Sequence, residues 1–269
     1  MSGFKAFFNQ WIQEQGLQLQ ELKAAESDPE AQHQLAPLIL RVIHHYENYY
    51  KAKADATKED VLRMYSPSWT STLENSFMWI AGWRPSTIFH LVYTKIAGIQ
   101  AEQELDDFLD EKGNEEKLTS LSPAQLMQLD ELQRRTIREE VSISEKMAKL
   151  QEKTGDQPFV NLAEIETTTD TVSAGNLAEI ETTTDTVSGR SSYAEIGMHE
   201  KGLMWLLEKA DELRLRTLKG VVDILSPLQS LRFLTVAASL HLRVHEIGEE
   251  KDQQRQSSTS NSGQGDRRQ

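Results

Sequence analysis

Serine followed three residues later by an acid or an amide is the pattern that most constrains this chain. In such a capping box, the serine hydroxyl and the Glu or Gln side chain satisfy backbone amides left free at the start of an α-helix. The pattern occurs at Ser27–Glu30, Ser71–Glu74, Ser122–Gln125 and Ser226–Gln229. In the last two, proline takes the first helical position, where its missing N–H costs nothing. Each box therefore predicts the beginning of a helix.

Strand patterns are sparse by comparison. Apolar and polar residues rarely alternate, and no Asn-Gly or Asp-Gly turn lies between apolar segments. The prediction is an all-α fold, a single helical-bundle domain of about seven helices within residues 4–249. The expected helices span about 4–26, 30–64, 71–81, 86–110, 122–153, 196–225 and 227–249.

A duplicated segment interrupts this domain. Residues 161–173 recur as residues 176–188, and two copies are too few for a solenoid. Each copy contains three acids, no Lys or Arg, and consecutive threonines that disfavour a helix. We expect residues 154–192 to form a disordered acidic loop, with a docking peptide as the alternative. Residues 250–269, rich in Ser, Gln and Gly at their end, are expected to form a disordered tail.

Composition excludes several classes of protein. With 29 Lys and Arg against 42 Asp and Glu, the net charge is −13, which disfavours nonspecific binding to DNA or to anionic membranes. The absence of cysteine excludes disulfide scaffolds, thiolate zinc sites and a Cys nucleophile. The longest apolar run, Leu203–Leu207, is too short to span a bilayer. Asn9 and Gln10 directly follow Phe7 and Phe8 and interrupt an apolar h-region, so no signal peptide is expected. These features predict a soluble intracellular protein.

Two histidines in the expected last helix are the clearest candidates for a binding site. His241 and His245 are four residues apart and so share one helix face. Neutral imidazole is a common metal ligand and a frequent axial ligand of haem. The alternative is a pair of partly buried structural histidines. The residue after His241 is Leu242, so the glutamate of a zinc-protease motif is missing. Two ligands on one helix face also cannot approach a haem iron from opposite sides.

Aromatic residues cluster in the middle of the first half. Seven of them lie within 29 residues, and they pack a core or form a flat apolar pocket. They are Tyr65, Trp69, Phe77, Trp79, Trp83, Phe89 and Tyr93. Within the cluster, Trp83, Arg84 and Pro85 predict a corner that breaks the helix. A buried Arg84 would need a carboxylate, and Glu74 is the nearest candidate in sequence.

Motifs for catalysis are missing from the sequence. No nucleophile motif, glycine-rich phosphate loop or recognisable pair of catalytic carboxylates occurs. His44, His45 and His90 lie on other expected helices and would complete a metal site only if the fold brought them together. The prediction is a protein that is not an enzyme, and a metal- or haem-dependent catalyst at His241 and His245 is the enzymatic alternative.

Several separated blocks, in order along the chain, resemble the plant delay-of-germination (DOG) domain. The most characteristic contains Trp79, Gly82, Trp83, Arg84 and Pro85, which we treat as a structural motif. The others are Trp11 with Glu21–Lys23, Leu121–Leu126, Ala210–Arg214, Leu225–Gln229 and His241–Glu246. The resemblance covers about residues 4–249. The same domain forms the C-terminal half of TGA-type basic leucine-zipper (bZIP) transcription factors, but this chain resembles the stand-alone, dormancy-type branch.

The resemblance implies a regulator of seed dormancy and abscisic-acid signalling in the nucleus, the cytoplasm or both. Such proteins bind clade A type-2C protein phosphatases, here through the first helix around Phe8, Trp11 and Ile12. They also bind haem through paired histidines that match His241 and His245, and haem iron is then the only metal expected. The dormancy type has an acid and a serine where this chain has Ala6 and Phe7, which suggests a changed choice of partner.

The resemblance also implies an alternative function. The protein would then be a transcriptional co-regulator that associates with TGA-type bZIP factors. Because the upstream basic region of those factors is missing here, no direct binding to DNA is expected, and none to membranes. Neither the residues nor the resemblance predicts an oligomeric state.

Overall fold

The computed structural model describes residues 2–27, 35–97, 121–153 and 185–262. Within these ranges it contains eight α-helices, one π-helical turn and no strand, which confirms the all-α prediction. The helices are α1 (Ser2–Ser27), α2 (Leu35–Glu59), α3 (Val61–Tyr65), α4 (Thr72–Ser76), α5 (Thr87–Val92), α6 (Pro123–Glu152), α7 (Asp185–Ile224) and α8 (Pro227–Ser262). The π-helical turn is Tyr93–Ala97 and directly follows α5.

Three of the four predicted capping boxes begin helices. Ser71 and Glu74 cap each other at the start of α4, and Ser122 and Gln125 do so at the start of α6. At the start of α8, the Ser226 amide donates to Gln229 Oε1 at 2.8 Å. The fourth box, Ser27–Glu30, extends beyond the described residues after Ser27, the last residue of α1.

The predicted helix over residues 30–64 is divided in two. Asp60 separates α2 from α3, and its side chain accepts a hydrogen bond from the Arg63 amide. An Asp at this position satisfies a free amide and so begins a new helix instead of continuing the old one.

The predicted helices over 71–81 and 86–110 are also shorter than expected. Helix α4 ends at Ser76, and residues 77–86 form a loop in which Ile80 and Ala81 have φ angles of 47° and 53°. Helix α5 ends at Val92 before the π-helical turn. Residues 98–110, the remainder of the second prediction, lie outside the described residues.

The predicted acidic loop and tail both need correction where the structure describes them. Helix α7 already begins at Asp185, so residues 185–192 are helical and do not form a loop. Helix α8 continues to Ser262, so the segment from 250 to 262 is helical as well. Adding residues to an existing helix costs little, whereas starting one is unfavourable. Asp252 also accepts a hydrogen bond from the Thr72 amide at 2.8 Å. Residues 154–184 and 263–269 lie outside the described residues.

One main core joins helices from both halves of the chain. Helix α7 packs along α6 and against α2, while α8 packs against α1, α2 and α4. The apolar stripe of α7 is buried at Leu203, Leu207, Ala210, Leu213, Thr217 and Val221. The largest fully buried side chains include Phe89, Phe233, Leu22, Leu129 and Leu231. None of the helices within the described ranges is both long and apolar enough to cross a membrane.

Candidate functional site

The two predicted histidines face the interior of the bundle from α8, but they meet different surroundings. The ring of His241 lies 5.6 Å from that of Trp11 and 6.3 Å from that of Trp83. His245, one turn further along α8, contacts Glu74 through Nδ1 at 3.0 Å. The shared helix face is therefore observed, and the two imidazoles have separate environments.

Trp11 lies between two histidines that are far apart in sequence. Its indole stacks on the His45 ring at 4.6 Å, with 5° between the planes, and its other contacts include His241. Phe8 meets the His245 ring edge-on at 5.9 Å. The exposed fractions of Phe8 and Trp11 are only 2% and 3%, and Ile12 is partly buried. Phe8 and Trp11, which the sequence assigned to partner binding, therefore pack around the histidines.

Glu74 is a buried carboxylate, 2% exposed, that links α4 to α8. It accepts hydrogen bonds from the Ser71 amide at 2.8 Å and the Ser71 hydroxyl at 2.7 Å, in addition to the His245 contact. Burial alone would raise the pKa of Glu74, but the bonds from His245 and Ser71 outweigh burial and lower it. The hydrogen bond with Glu74 in turn raises the pKa of His245 against the effect of burial.

The surroundings of His241 shift its pKa in the direction opposite to that of His245. Burial lowers the pKa of His241 to about 4, so its imidazole is neutral at physiological pH. Among the described residues we find no hydrogen-bond partner for either of its ring nitrogens. Burial also lowers the pKa of His45, whose buried Nε2 lacks a partner within the same ranges. A neutral imidazole is the form that ligates a metal.

A cavity of about 430 Å³ opens beside His241. Its volume falls within the range of roughly 300–1,000 Å³ that is usual for small-molecule sites. The wall is mainly aromatic and aliphatic, and its members include Phe8, Trp11, Tyr49, Trp83, Leu91, Leu218, Phe233 and Leu240. Of the predicted aromatic cluster, Phe89 is core and Trp83 lines this cavity, while Phe77 is exposed and stacks on Trp83.

The predicted corner motif forms one wall of the cavity. Gly82, Trp83, Arg84 and Pro85 line it, and Trp79 donates from Nε1 to Ser144 Oγ at 3.0 Å. A side chain at Gly82 would place Cβ 2.8 Å from Arg214 Cζ, so the corner requires glycine for close approach.

Two buried cations donate hydrogen bonds to the backbone carbonyls of this corner. Arg214 donates to the carbonyls of Trp79, Ile80 and Trp83, and Lys53 donates to the carbonyl of Ala81. The backbone at Ile80 and Ala81 is left-handed, so the carbonyl oxygens of this corner are not positioned for helical hydrogen bonds. The bonds from Arg214 and Lys53 satisfy these oxygens instead. The arrangement holds the wall of the cavity in one conformation.

Asp211 balances the two cations from behind the corner. It lies 3.0 Å from Lys53 Nζ and 2.5 Å from Arg214 Nη1. Burial lowers the pKa of Lys53 to about 8 despite the attraction of Asp211. This role of Asp211 and Arg214 was not predicted from the sequence. The three-residue spacing of Asp211 and Arg214, which places both on one helix face, is the local sequence signal that could have indicated their ion pair.

The partner predicted for Arg84 was wrong. Arg84 donates from Nε to Glu140 at 2.9 Å, and Glu140 also accepts from the Ser86 amide at 2.6 Å. Glu74, the candidate nearest in sequence, is occupied by His245 and Ser71. Helix α6 reaches the corner from a distant part of the chain and supplies the buried carboxylate.

The side chains around the cavity leave one imidazole, that of His241, that could serve as a ligand. Among the described residues, no cluster of three or more His, Asp or Glu side chains is arranged to hold a free metal ion. His241 instead offers a neutral ring on the wall of an apolar cavity, whereas His245 is held by Glu74. His44 and His90 are exposed and His45 is buried beneath Trp11.

The sequence is similar to one known protein family and to several plant proteins. The family described as DOG1, seed dormancy control, matches residues 18–94. The chain is 27% identical to Protein DOG1-like 3 of Arabidopsis thaliana over 259 residues, 93% of this chain and 86% of that protein. It is 29% identical to Protein DOG1-like 4 of the same plant over 250 residues, 91% of each chain. Transcription factor TGA5, also from Arabidopsis thaliana, is 24% identical over 254 residues, 91% of this chain and 63% of that protein.

Proposed function

We propose that this chain, which is similar to two DOG1-like proteins over about nine-tenths of its length, is a non-enzymatic regulator of seed dormancy. It acts by binding partner proteins, clade A type-2C phosphatases among them, and it binds haem as a modulating ligand. It works in the nucleus, the cytoplasm or both. The description of the matched family, seed dormancy control, supports the physiological part of this proposal.

The position of His241 carries the haem part of the proposal. The neutral imidazole lies on the wall of an apolar cavity, between Trp11 and Trp83, with no hydrogen-bond partner among the described residues. Haem, when bound, supplies an iron centre that accepts an axial imidazole. His241 would be that ligand. His245 would instead orient the helix, because its Nδ1 is held by Glu74.

Haem titration tests this assignment. The Soret band of haem is followed with the wild type, His241→Ala, His245→Ala and, as a control, the exposed His44→Ala. We expect the wild type and His44→Ala to shift the band equally, and His241→Ala to lose the shift. His245→Ala should keep a shift at reduced affinity. Equal spectra for the wild type and His241→Ala would reject His241 as the ligand.

The phosphatase part rests on the exposed side of α1. Because Phe8 and Trp11 are buried, a partner would meet the opposite face, where Leu17 is 62% exposed. Leu40 on α2 is 68% exposed and provides a matched control. In a pull-down with clade A phosphatases, we expect Leu17→Asp to reduce binding and Leu40→Asp to leave it unchanged. If the intact protein does not bind while a dormancy-type relative does, phosphatase binding is rejected.

The similarity to TGA factors supports a second candidate function. The alignment with Transcription factor TGA5 spans 91% of this chain but only 63% of TGA5. A co-regulator that associates with TGA-type bZIP factors would use this shared region and reach DNA only through its partner. It should then retard DNA in a gel together with a TGA factor, but not alone. Retardation by this protein alone would contradict the proposed lack of direct DNA binding.

A further inference from the structure

A groove of about 700 Å³ lies between α6 and the loop that follows α4, apart from the cavity beside His241. Helix α6 forms one side of it through Ser144, Met147 and Gln151, and the other side includes Tyr65 and Trp79. We call it the α6 groove. Its volume is within the range of roughly 300–1,000 Å³ that is usual for binding sites, and the proposed function does not use it.

The floor of the α6 groove rests on a small core cluster. Ile143 of α6 and Leu206 and Leu213 of α7 are buried there, and Trp79 and Met147 pack against them. Trp79 and Met147 are themselves only partly buried. Their outer surfaces therefore form an apolar area that the described residues leave uncovered, which is typical of an interaction site.

The polar atoms of the two aromatic residues in the groove already have partners. Trp79 donates from Nε1 to Ser144 Oγ at 3.0 Å, and the Tyr65 hydroxyl donates to the Leu203 carbonyl at 3.1 Å. Met147 adds a thioether side chain, which adapts to irregular apolar surfaces. Within the described ranges, no charged side chain lines the groove. Its occupant should therefore be apolar and uncharged.

The sequence that follows α6 contains a stretch of this kind. Residues 157–163 read Gln-Pro-Phe-Val-Asn-Leu-Ala, with three large apolar side chains and no charge. Phe159 is the only aromatic residue between positions 154 and 184. Asp156 precedes the stretch and Glu164 follows it. Because an unpaired charge loses free energy when it leaves water, an uncharged groove selects the stretch between these two acids.

The stretch is also attached close to the groove. Gln151 lines the groove, and Lys153 is the last described residue of that part of the chain. Phe159 follows six residues after Lys153, so it can lie up to about 20 Å away from it. A short tether gives an effective concentration on the order of millimolar, so weak apolar contacts are sufficient to fill the groove.

We propose that residues 157–163 of the same chain bind in the α6 groove, with Phe159 as the apolar anchor beside Met147 and Trp79. This goes beyond the proposed function, because it requires neither haem nor a phosphatase. The contact also holds the beginning of the first acidic copy, residues 161–173, at the surface of α6. A partner protein that used the groove would have to displace this segment first.

Methionine methyl groups report this contact, because the ring current of a nearby aromatic residue changes their NMR shifts. The full chain is labelled with carbon-13 at these methyl groups, and the signals of Met78 and Met147, which both line the groove, are assigned by substitution with Leu. We expect Phe159→Ala to shift both signals. The signal of Met127, which is 74% exposed near the start of α6, should stay in place and show that the fold is intact.

The duplication supplies a matched pair of control variants. Leu162 in the first copy and Leu177 in the second have the same neighbours, Asn before and Ala-Glu-Ile after. Only Leu162 belongs to the proposed segment. We therefore expect Leu162→Ala to shift the Met78 and Met147 signals and Leu177→Ala to leave them unchanged. Equal effects of the two variants would overturn the proposal.

A synthetic peptide of residues 155–165 tests the same contact from outside the chain. It should bind the Phe159→Ala protein and return the Met147 signal towards its wild-type position. It should bind the wild type at least about tenfold more weakly, because the tethered segment competes with it. The same peptide with F159A should bind neither protein.

Three results would overturn the proposal. The first is a Phe159→Ala protein whose Met78 and Met147 signals match those of the wild type, and the second is a peptide that does not bind this variant. The third is a set of wild-type signals that change on dilution, since a second copy of the chain would then be the occupant. The readout uses neither haem nor a phosphatase, so its failure is distinct from a failure of the proposed function.

Discussion

His245 and Glu74 form a buried link between the last helix and the beginning of α4, through 3.0 Å between Nδ1 and Oε1. The link joins residues 171 positions apart and closes the capping box that begins α4. Because one partner is a base and the other an acid, the strength of the link depends on pH.

The first prediction concerns this pH dependence. The pKa of His245 is raised in the folded protein, so its stabilisation is complete below the unfolded value of about 6.5 and is lost as the pH rises through the folded value. The pKa of Glu74 is lowered, so its share is present above the unfolded value of about 4.3 and is lost at lower pH. The link is therefore strongest between about pH 5 and 6.5.

His245→Gln tests this prediction because glutamine can still donate to Glu74 but does not titrate. We expect the wild type to be more stable than the variant by about 1 kcal/mol near pH 6, because glutamine keeps a hydrogen bond to Glu74 but lacks the charge of the imidazolium. The difference should shrink as the pH rises toward 9. Urea unfolding at several pH values measures it, and parallel curves for the two proteins would contradict the prediction.

A second prediction concerns His241, whose pKa is lowered to about 4. Between pH 6.5 and 4 the unfolded chain binds a proton at this residue and the folded chain does not, so the wild type loses stability as the pH falls. The loss relative to His241→Gln should be on the order of 2 kcal/mol, less than the full shift would give because the ring borders a solvent-accessible cavity. Chemical denaturation of both proteins at pH 7 and pH 4.5 checks the difference, which should appear only at the lower pH.

Two glycine substitutions should have effects of opposite sign. Gly82→Ala places a methyl group 2.8 Å from Arg214 Cζ, which several bonds hold in place, so we expect a loss of about 1–3 kcal/mol. Gly16→Ala lies in α1 with nothing within 4 Å of the new methyl group, so we expect a gain of about 0.5–1 kcal/mol. Thermal unfolding distinguishes them. A tolerated Gly82→Ala would show that the corner can move away from Arg214.

A further prediction compares the loss of a buried arginine, Arg214, with the loss of an exposed one on the same helix, Arg216. Arg214→Met leaves Asp211 with one cation and three carbonyls without a donor, so we expect a loss of about 3–5 kcal/mol. Arg216 pairs with Glu139 at the surface, so Arg216→Met should lower the free energy of unfolding by less than about 1 kcal/mol. Equal losses of unfolding free energy for the two variants would argue against a structural role for the buried ion pairs of Lys53, Asp211 and Arg214.

The parts of this fold that depend on local interactions were predictable from sequence. A capping box needs residues only three positions apart, and the boxes at Ser71 and Ser122 begin helices as expected. The shared face of His241 and His245 follows in the same way from helical geometry. The apolar stripe of α7 was predictable because burial on one side of a helix leaves a period of 3.6 residues.

The long-range contacts were not predictable in this way. Lys53 and Asp211 are 158 residues apart, and Arg84 and Glu140 are 56 apart, so no local pattern pairs them. Ile80 lies inside the helix expected over residues 71–81. A β-branched residue rarely takes a positive φ, so no local pattern indicated the left-handed backbone found there. Arg214 and the fold around it supply the bonds that hold this unfavourable conformation.

The stack of Trp11 between His45 and His241 brings together the beginning, the first third and the end of the chain. During synthesis on the ribosome, the N-terminal aromatic residues emerge long before α8 does. A protein product that stops short of residue 241 would therefore have unburied aromatic side chains and an incomplete cavity wall.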